Sequence, residues 1–391
     1  MIIELLTLLF GAAGLCGIVA GVLLYSRLLL SSPPVGARVT PWSSAGDLSI
    51  IIPARNEEER LPLLLSSLRE AQHPGETPPI EVIVVDDESE DRTRLVGEAF
   101  GCTVVGAGPR PPGWIGKSWA CWRGAQLARG EVLLFLDADT RFLPGGLSAL
   151  AELFSRAGGL VSIQPYHRTE WAVERLSSFF NLVVMAATGA FGLNNAGSPP
   201  DGSFGPCMMI GRRDYGKAGG HRAVMASLIE DMALGRACAA RGIRVSLHAG
   251  RGIIEYRMYP GGFGEILEGW TKNLASGAST APPAVRGLIS LWLGGMATSL
   301  LSIACGFSAL LGANPGAMAG AIVGAAAYLL TATEIALFSA RVGNFGFVSA
   351  LLFPVHLGFF CTVLVRSLYL QYVKHEVQWK GRTIKTNGVQ V

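Results

Sequence analysis

Two long apolar stretches, one near each end of the chain, limit its fold more than any other feature. Only two charged side chains occur in residues 1–30, and only four occur in residues 286–370. Nearly all other charges lie in residues 31–285 or after residue 370. Since a helix of about 20 apolar residues can span a bilayer, the sequence predicts a polar domain inserted between membrane-spanning segments.

Four apolar runs are candidate membrane spans, at residues 2–30, 287–311, 316–339 and 346–370. A cleaved signal peptide is the competing interpretation of the first run, but this run has no basic start and no clear small-residue cleavage site. Arg27 and Arg38 follow the run, so the next domain is expected to face the cytoplasm.

The basic C-terminal tail conflicts with a simple count of four spans. Four spans would place residues 371–391 outside the cell, whereas the four lysines and arginines of this tail favour the cytoplasmic side. One apolar run would then be re-entrant or interfacial. We expect a multi-pass cell-membrane protein with a cytoplasmic polar domain and tail, and the number of true spans and the oligomeric state stay open.

Small and polar residues inside the apolar runs have two interpretations each. Glycines recur every fourth residue at positions 17 and 21 and at positions 316, 320 and 324. This spacing lets helices approach closely, or the glycines merely fill membrane helices. Glu334 and His356 are candidates for function because ionisable groups are costly inside a bilayer, although Glu334 can also reach the membrane interface.

The overall composition excludes several classes of protein. Half of the residues are hydrophobic, 16% are charged and the mean hydropathy is +0.39, values that argue against a disordered chain and an ordinary soluble enzyme. The net charge is only +3 and no basic stripe is interleaved with aromatics, which disfavours nucleic-acid binding. The seven cysteines are isolated, which suits a reducing compartment without structural zinc or disulfides.

Short apolar runs alternate with helical patterns in the polar domain. Strands are predicted at residues 48–53, 80–85, 102–106, 131–136, 159–164, 205–210, 243–247 and 253–256, and helices at 57–71, 91–100, 117–129, 228–241 and 262–277. Such alternation predicts an α/β fold with a mostly parallel sheet, whose ligands bind beyond the carboxyl ends of the strands. The apolar, aromatic stretch 178–191 is predicted to lie on the bilayer surface, and helix 262–277 is amphipathic and suited to the membrane interface.

Acidic and amide side chains follow three of the predicted strands. These are Arg55-Asn56-Glu57, Asp86-Asp87 and Asp137-Ala138-Asp139. Alternate carboxylates on one turn can share a hard divalent cation, which in turn holds a diphosphate. Asp-x-Asp alone is also common on solvated turns, but the apolar strand directly before it favours a site.

Two further groups are candidates for chemistry. Lys117 is a plausible phosphate or base contact, or an ordinary surface lysine at a helix start. Glu230 and Asp231 form a second acidic pair, in which a carboxylate can take a proton from an attacking hydroxyl. The alternative is an acidic pair that stabilises a helix N-terminus.

Five short motifs in this order resemble family 2 glycosyltransferases, inverting enzymes with a GT-A fold. They are IIPARNEEE at 51–59, VVDDES at 84–89, GWIGKSWA at 113–120, FLDADT at 135–140 and IEDMAL at 229–234. The apolar ends, GWTKN at 269–273 and the tail VQWKGR at 377–382 are similar to carotenoid-acid (diaponeurosporenoate) and hopene-associated glycosyltransferases. The tail also resembles, more distantly, that of ceramide glucosyltransferase.

The resemblance implies roles for individual residues. Pro53, Ala54, Arg55 and Glu57 would border the nucleotide, Asp86 would bind uridine, and Lys117 would touch the nucleotide. Asp137 and Asp139 would hold the sugar nucleotide and a Mg²⁺ or Mn²⁺ ion, with Asp139 the stronger metal ligand. Asp231 would be the catalytic base, with Glu230 beside it. Trp270 and Lys272 are further candidates near the acceptor and diphosphate.

Polymer-forming members of the family carry Gln-x-x-Arg-Trp on the helix after the base. Trp270 matches the tryptophan, but Ile266 and Gly269 replace the Gln and Arg, which argues against processive polymerisation. Some GT-A enzymes use a histidine as an additional metal ligand, for which His248 is a candidate, although a structural strand-end histidine is the favoured interpretation.

The expected protein is therefore a membrane glycosyltransferase that moves one hexose from a UDP-sugar, with UDP-glucose favoured, to a lipid acceptor. Its predicted parts are a transmembrane helix at 1–30, a GT-A catalytic domain with a Rossmann-like, mostly parallel sheet at 45–260, an interface helix and linker at 261–285, a transmembrane region at 286–370 and a basic tail at 371–391. A processive polysaccharide synthase and a nucleotide-binding membrane scaffold or transporter are the alternatives. The identities of the sugar and the lipid stay open.

Overall fold

The computed structural model describes residues 2–30, 48–71, 80–193, 199–227, 229–312, 317–379 and 382–385. They form two compact units. The first unit holds the described parts of Met1–Ser31, Thr169–Ala196 and Tyr259–Ile384, and the second holds those of Ser32–Arg168, Gly197–Met258 and Lys385–Val391. Arg38, Gly316 and Lys380, which entered the sequence predictions, lie outside the described residues.

The second unit is built on a seven-stranded sheet with strand order β3-β2-β1-β4-β8-β6-β9. The strands are β1 (Leu48–Ala54), β2 (Glu81–Asp86), β3 (Thr103–Gly106), β4 (Val132–Leu136), β6 (Leu160–Gln164), β8 (Cys207–Gly211) and β9 (Val245–Ala249). Neighbours pair in parallel except β8, which runs antiparallel to β4 and β6. The mixed, mostly parallel α/β sheet predicted from the sequence is confirmed.

Helices cover both faces of this sheet because its central strands are apolar on both sides. In β1, six of seven residues are buried, and Ile50 and Ile52 pack on one face while Ile51 packs on the other. The helices of this unit are α2 (Leu61–Ala71), α3 (Thr93–Ala99), α4 (Gly116–Leu127), α5 (Gly146–Ala157), α7 (Arg212–Ala218) and α8 (Glu230–Ala240). Helix α2 begins four residues later than predicted, with Pro62 in its first turn, where a missing N–H costs little.

A second, three-stranded sheet was not predicted from the sequence. It has the order β5-β10-β7, with β5 (Thr140–Phe142), β7 (Tyr166–His167) and β10 (Ile254–Tyr256). Strand β5 begins directly after Asp139, and it pairs antiparallel with β10. Strands β7 and β5, with two and three residues, are too short for an alternating pattern of apolar residues to be seen in the sequence.

The first unit contains long apolar helices. They are α1 (Ile2–Leu30), α6 (Ser178–Ala187), α9 (Phe263–Thr280), α10 (Pro283–Leu311), α11 (Ala317–Val342), α12 (Phe347–Leu351) and α13 (Phe353–Tyr369). This unit also holds a 3-10 helix at Ala172–Ser177, a π-helix at Leu370–Lys374, the strand β11 (Glu376–Trp379) and most of the strand β12 (Arg382–Lys385). A further 3-10 helix, Gly220–Val224, belongs to the second unit. Among the described residues, four stretches are long and apolar enough to cross a membrane: Glu4–Leu30, Pro283–Leu311, Met318–Val342 and Phe353–Lys374.

The last predicted apolar run, 346–370, is broken into two helices. Helix α12 ends at Leu351, and α13 begins at Phe353 with Pro354 in its first turn. Proline has no N–H to donate to the carbonyl four residues earlier and its ring collides with that carbonyl, so the helix restarts there.

The segment Thr169–Ala196 lies inside the predicted catalytic range 45–260, but the structure groups it with the apolar helices. Helix α6 in this segment is buried at nine of its ten positions. It is enclosed by α9, α10, α11 and α13. The prediction that this stretch lies on the bilayer surface is therefore wrong. A helix that is apolar all round is typical of a buried position, and its uniform hydrophobicity was the signal.

Glycines set the contacts between the apolar helices. A Cβ added at Gly17 of α1 would lie 2.5 Å from the Gly295 Cα of α10, and one at Gly324 of α11 would lie 2.7 Å from the Ile303 Cα of α10. A Cβ at Gly21 would collide with Glu334. Close helix approach is thus the correct interpretation of Gly17, Gly21 and Gly324, whereas a Cβ at Gly320 would meet nothing nearer than 3.8 Å.

The two ionisable residues inside the apolar helices both have local structural partners. The Trp292 indole N–H donates to Glu334 Oε2 over 3.1 Å, and Glu334 Oε1 is buried without a hydrogen-bond partner. His356 Nδ1 lies 3.0 Å from the Leu352 carbonyl one turn earlier. Both side chains are only 6% exposed. The Glu334 side chain therefore does not extend from the surface of this helical unit.

The glycine contact between α1 and α10 predicts a matched pair of variants. Gly295→Ala places a Cβ against Gly17 and is expected to destabilise the unit by about 1–3 kcal/mol, the usual cost of overpacking. Gly294→Ala, one residue away, meets nothing within 4 Å and is expected to be neutral or slightly stabilising. Thermal unfolding of both proteins in detergent checks this. Equal melting temperatures would contradict the close approach.

Candidate active site

The sheet of the second unit brings the carboxyl ends of its parallel strands to one edge. Strands β1, β2 and β4 are mutually parallel, and β8 reverses direction between β4 and β6. Strands β6 and β9 therefore run in the same direction as β4. The residues after β1, β2, β4, β6 and β9, and those before β8, meet at this edge, where ligands of open α/β sheets bind.

The loops after β1 and β2 form one rigid frame. The Asn56 N–H donates to Ser89 Oγ over 3.1 Å, and the Glu90 N–H donates to Asn56 Oδ1 over 2.9 Å. The Glu57 N–H donates to Thr93 Oγ1 over 2.7 Å. Asn56 has a φ of 53°, which asparagine tolerates better than most residues. The predicted nucleotide-bordering loop is thus held in place by Asn56 and Ser89, which belong to the quoted motifs, and by Thr93, which lies outside them.

Pro53 and Ala54 end β1, opposite Val85 and Asp86 of β2. Ala54 is 3% exposed and belongs to the core, so only its backbone can face a ligand. Asp86 Oδ1 accepts the Ser89 N–H over 3.0 Å and closes the turn after β2. The roles assigned to these residues by family resemblance stay predictions.

Asp87 is the second acid after β2, and it lies against the start of α4. A Cβ at Gly116 would be 2.6 Å from Asp87 Oδ2 and 3.5 Å from Arg110 Nη1. Burial raises the pKa of Asp87, while the guanidinium groups of Arg55 and Arg110 oppose the rise. Sequence reasoning missed Arg110, because a lone arginine in a proline-rich loop carries no motif.

Lys117 joins the two acidic motifs. Its Nζ lies 2.8 Å from Asp137 Oδ1 and 3.0 Å from Asp137 Oδ2, and 3.4 Å from Glu230 Oε1. Burial would lower the pKa of Lys117, but the carboxylates of Asp137, Glu230 and Asp231 raise it well above its usual value. Lys117 is therefore a charged member of the site, and the alternative of an ordinary surface lysine is wrong.

Asp139 lies two residues beyond Asp137, in the turn before β5. Its Oδ1 is buried and has no hydrogen-bond partner. Burial, together with the charges of Asp137 and Glu57, raises the pKa of Asp139 to about 7. A buried carboxylate oxygen without a donor is costly unless a ligand compensates it.

These residues fit a divalent cation that is completed by a substrate. Among the described residues, no group of three His, Cys, Asp or Glu side chains could by itself hold a metal. Mg²⁺ commonly takes one or two protein carboxylates and fills its shell with water and substrate phosphates. The unpartnered Asp139 oxygen, with Asp137 two residues before it, matches that pattern.

His248 does not complete a metal-binding group with two other ligands in the part of the chain that is described. It lies on β9, where it pairs with Ile163 of β6, and burial lowers its pKa. Its Nε2 is buried without a hydrogen-bond partner. The sequence interpretation of a strand-end histidine agrees with this position.

Helix α8 presents the second acidic pair at its first turn. Asp231 packs against the start of β8, since a Cβ at Gly205 would lie 2.6 Å from Asp231 Oδ2. Burial and the neighbouring Glu230 raise the pKa of Asp231 to about 6, against the opposing charge of Lys117. An acid with this pKa is ionised at neutral pH and basic enough to accept a proton, which suits a general base.

A neutral histidine lies behind the acids, and sequence reasoning missed it. The Tyr215 hydroxyl lies 2.9 Å from His221 Nδ1 and accepts the His221 backbone N–H over 3.1 Å. His221 is fully buried, which lowers its pKa to about 4. Neither residue belongs to a recognisable motif, because the pairing depends on α7 and the turn that follows it.

Trp270 and Lys272 lie on α9 in the first unit. The Trp270 indole N–H donates to Ser177 Oγ over 3.0 Å, and its ring stacks on Phe180 at 4.7 Å between centroids. Trp270 is 4% exposed, whereas Lys272 is half-buried. Their predicted roles near an acceptor or diphosphate stay predictions.

Comparison with known proteins shows which family this chain belongs to. A family model described as glycosyl transferase family 2 matches residues 49–219. A 4,4'-diaponeurosporenoate glycosyltransferase of Staphylococcus aureus is 34% identical over 339 residues, which are 86% of this chain and 87% of the relative. The chain belongs to glycosyltransferase family 2. The enzyme of the same name from Staphylococcus haemolyticus is 36% identical over 306 residues, 77% of this chain and 79% of that one.

A solved structure supports the fold. The mannosyltransferase PcManGT from Pyrobaculum calidifontis, in complex with GDP-Man and Mn²⁺, aligns with a TM-score of 0.56 over 94% of this chain and 99% of that one. The two sequences are 18% identical. The likeness confirms the GT-A fold that the motifs implied.

The packing of Gly205 on Asp231 predicts a sensitive position for this glycosyltransferase. If Asp231 is the base that the family resemblance implies, Gly205→Ala is expected to push its carboxylate aside and to lower the turnover rate at saturating substrates at least about tenfold, because a small misplacement of a reacting group is costly. Gly211→Ala, also on the β8 segment, meets nothing within 4 Å and serves as the control. Steady-state transfer rates with unfolding temperatures check this, and equal rates for both variants would contradict it.

Proposed function

We propose that this family 2 glycosyltransferase moves a single hexose from a UDP-sugar to an apolar membrane lipid, with inversion at the anomeric carbon. The observation that carries the proposal is the contact of Lys117 with both Asp137 and Glu230, which joins the donor motif to the base motif at one edge of the sheet. UDP-glucose is the first donor to test. The acceptor class follows from the relatives, whose names specify a carotenoid acid.

The nucleotide would occupy the frame formed by the loops after β1 and β2. Arg55, Asp86 and Asp87 supply charge and hydrogen-bonding groups for a base and a ribose there. Lys117, at the first turn of α4, is then the cation available to the diphosphate. This placement follows the rule that nucleotides bind beyond the carboxyl ends of parallel strands.

Asp139, with Asp137, would hold a Mg²⁺ or Mn²⁺ ion together with the donor phosphates. Such a cation supplies neutralisation of the charge that develops on the departing UDP. The unpartnered Oδ1 of Asp139 supports this assignment from the chain itself.

Asp231 would act as the base toward the acceptor. An acceptor hydroxyl must lose its proton as it attacks the anomeric carbon from the face opposite UDP, and the Asp231 carboxylate can accept that proton. A carboxylic acid acceptor is already ionised at neutral pH and needs less help. Glu230, which contacts Lys117, would link the Lys117 ammonium to the base Asp231 in one network.

Single transfer is favoured over polymerisation by the packing of α9. Ile266 and Gly269 stand where polymer-forming members carry Gln and Arg. Ile266 is fully buried, and a Cβ at Gly269 would collide with the Tyr259 ring. This helix therefore has no room for the polymerase-type arginine at that position.

The membrane arrangement is also a proposal. Four helices have the length and apolarity to cross a bilayer. We infer a multi-pass cell-membrane protein whose second unit, with the nucleotide site, faces the cytoplasm where nucleotide sugars are made available to such enzymes. A protease-protection assay on sealed membrane vesicles tests the orientation.

The direct test is transfer of radiolabelled glucose. Membranes containing the protein, UDP-[¹⁴C]glucose, Mn²⁺ and a carotenoid acid are expected to yield a labelled lipid that mass spectrometry identifies as the monoglucosyl product. Asp139→Asn is expected to lower the rate at least about 100-fold, since electrostatic stabilisation of the leaving group is lost. Asp214→Asn, the same change on α7, is the control. UDP binding without any turnover by the wild type would instead favour a nucleotide-binding scaffold.

The pH dependence separates the two acceptor classes. Because the pKa of Asp231 is about 6, transfer to a hydroxyl acceptor is expected to fall about tenfold per pH unit below pH 6, where the base becomes protonated. Asp231→Asn is expected to lower transfer to a hydroxyl acceptor about 10²–10⁴-fold and to abolish this acid limb. With a carboxylic acid acceptor, the loss is expected to be smaller. Retention of the full acid limb in Asp231→Asn would show that another group is the base.

A further inference from the structure

The Lys117 ammonium is matched to the oxygens around it. An ammonium has three N–H donors, and three carboxylate oxygens lie within reach: both oxygens of Asp137, at 2.8 and 3.0 Å, and Glu230 Oε1, at 3.4 Å. Both oxygens of Asp137 are thus engaged by one cation. Asp139 differs, because its Oδ1 has no hydrogen-bond partner.

The fold fixes where Lys117 starts. The N–H of Ile115, the residue before α4, donates to the Met225 carbonyl over 3.0 Å. Gly116, the first residue of α4, packs against the Asp87 carboxylate. The backbone at Lys117 is therefore held, and only its flexible side chain can redistribute the charge.

We propose that Lys117 is a built-in counter-cation of Asp137 that excludes a divalent metal ion from this carboxylate until a nucleoside diphosphate takes over the ammonium. The proposal rests on the function proposed above and adds a binding order: the donor binds first, and the metal ion then gains Asp137 as a ligand. Without donor, a metal ion meets only Asp139. With donor, Lys117 pairs with the diphosphate and Asp137 becomes available.

Replacement of Lys117 by a metal ion at Asp137 is favourable only when the diphosphate binds as well. A metal ion that displaced Lys117 from Asp137 alone would leave an ammonium close to a dication, and like charges at short distance repel. A diphosphate supplies the negative charge that compensates both cations. Metal and donor binding are then positively coupled, and Lys117 carries part of that coupling free energy.

The test measures Mn²⁺ binding rather than turnover. Full-length protein in detergent is titrated with Mn²⁺ alone and with Mn²⁺ in the presence of saturating UDP, and electron paramagnetic resonance counts the free ion. Lys117→Met is expected to raise the affinity for Mn²⁺ alone about tenfold, the effect of releasing a charge-assisted contact. The same variant is expected to lower the affinity for Mn²⁺ in the presence of UDP. Lys217→Met, the same change at an exposed lysine of α7, is expected to alter neither.

The opposite signs are diagnostic. Simple loss of a positive charge would raise Mn²⁺ affinity in both titrations, and damage to the fold would lower it in both. Lys117→Arg keeps a cation on Asp137 and is expected to keep the weak binding of Mn²⁺ alone. Unchanged affinity of Lys117→Met for Mn²⁺ alone, with UDP binding intact, would overturn the proposal.

A second variant tests the same idea if Lys117→Met does not fold. Asp137→Asn leaves the ammonium of Lys117 without its main partner, so Mn²⁺ alone is expected to bind about two- to threefold more weakly, whereas UDP-dependent Mn²⁺ binding is expected to weaken about tenfold or more. Equal weakening in both titrations would contradict the exchange. Failure of the wild type to bind UDP at any Mn²⁺ concentration would instead refute the proposed function, so the two failures are distinguishable.

Discussion

The ion pair between Lys117 and Asp137 allows the remaining acids of the site to be close together. Asp139, Glu230 and Asp231 lie in surroundings that withhold water, and burial together with neighbouring carboxylates raises the pKa values of Asp139 and Asp231. Without a central cation, several buried carboxylates would protonate rather than remain charged. The ammonium offsets their charge, and it does so from a helix whose start is fixed by its neighbours. The start of α4 thus fixes the position of the cation that balances the charge of the acids.

A different constraint governs the apolar unit. Lipid chains are as apolar as leucine, so membrane helices gain little from hydrophobic burial and depend on close packing instead. The contact of Gly17 with Gly295 supplies that packing, and it leaves room for Trp292 and Glu334 beside Gly21. The buried carboxyl group of Glu334 is therefore part of the helix contact, although its Oε1 has no hydrogen-bond partner. Close helix packing therefore explains both the spacing of these glycines and the position of Glu334.

The elements that could be predicted from sequence are those with a strong local signal. Apolar runs marked β1, β2 and β4, and the acids that follow them converge because parallel strands end at one edge. The partners of those acids could not be predicted. The electrostatic interaction of Arg110 with Asp87 and the contact of His221 with Tyr215 join residues whose spacing carries no periodicity. Helix α6 was placed on the bilayer surface, although an apolar stretch of this kind is typical of a buried helix.

The packing of α9 bears on how this enzyme would differ from polymer-forming members of its family. A processive enzyme must hold a growing polar chain, and cationic and amide side chains suit that task. Here Ile266 and Gly269 are committed to packing against the helix's own unit, and Trp270 is bonded to Ser177 and stacked on Phe180. Restoring Gln and Arg at these positions would therefore disrupt the core before it could create a polymer channel. If the enzyme transfers a single sugar, as proposed, the packing of α9 would contribute to this together with the missing functional groups.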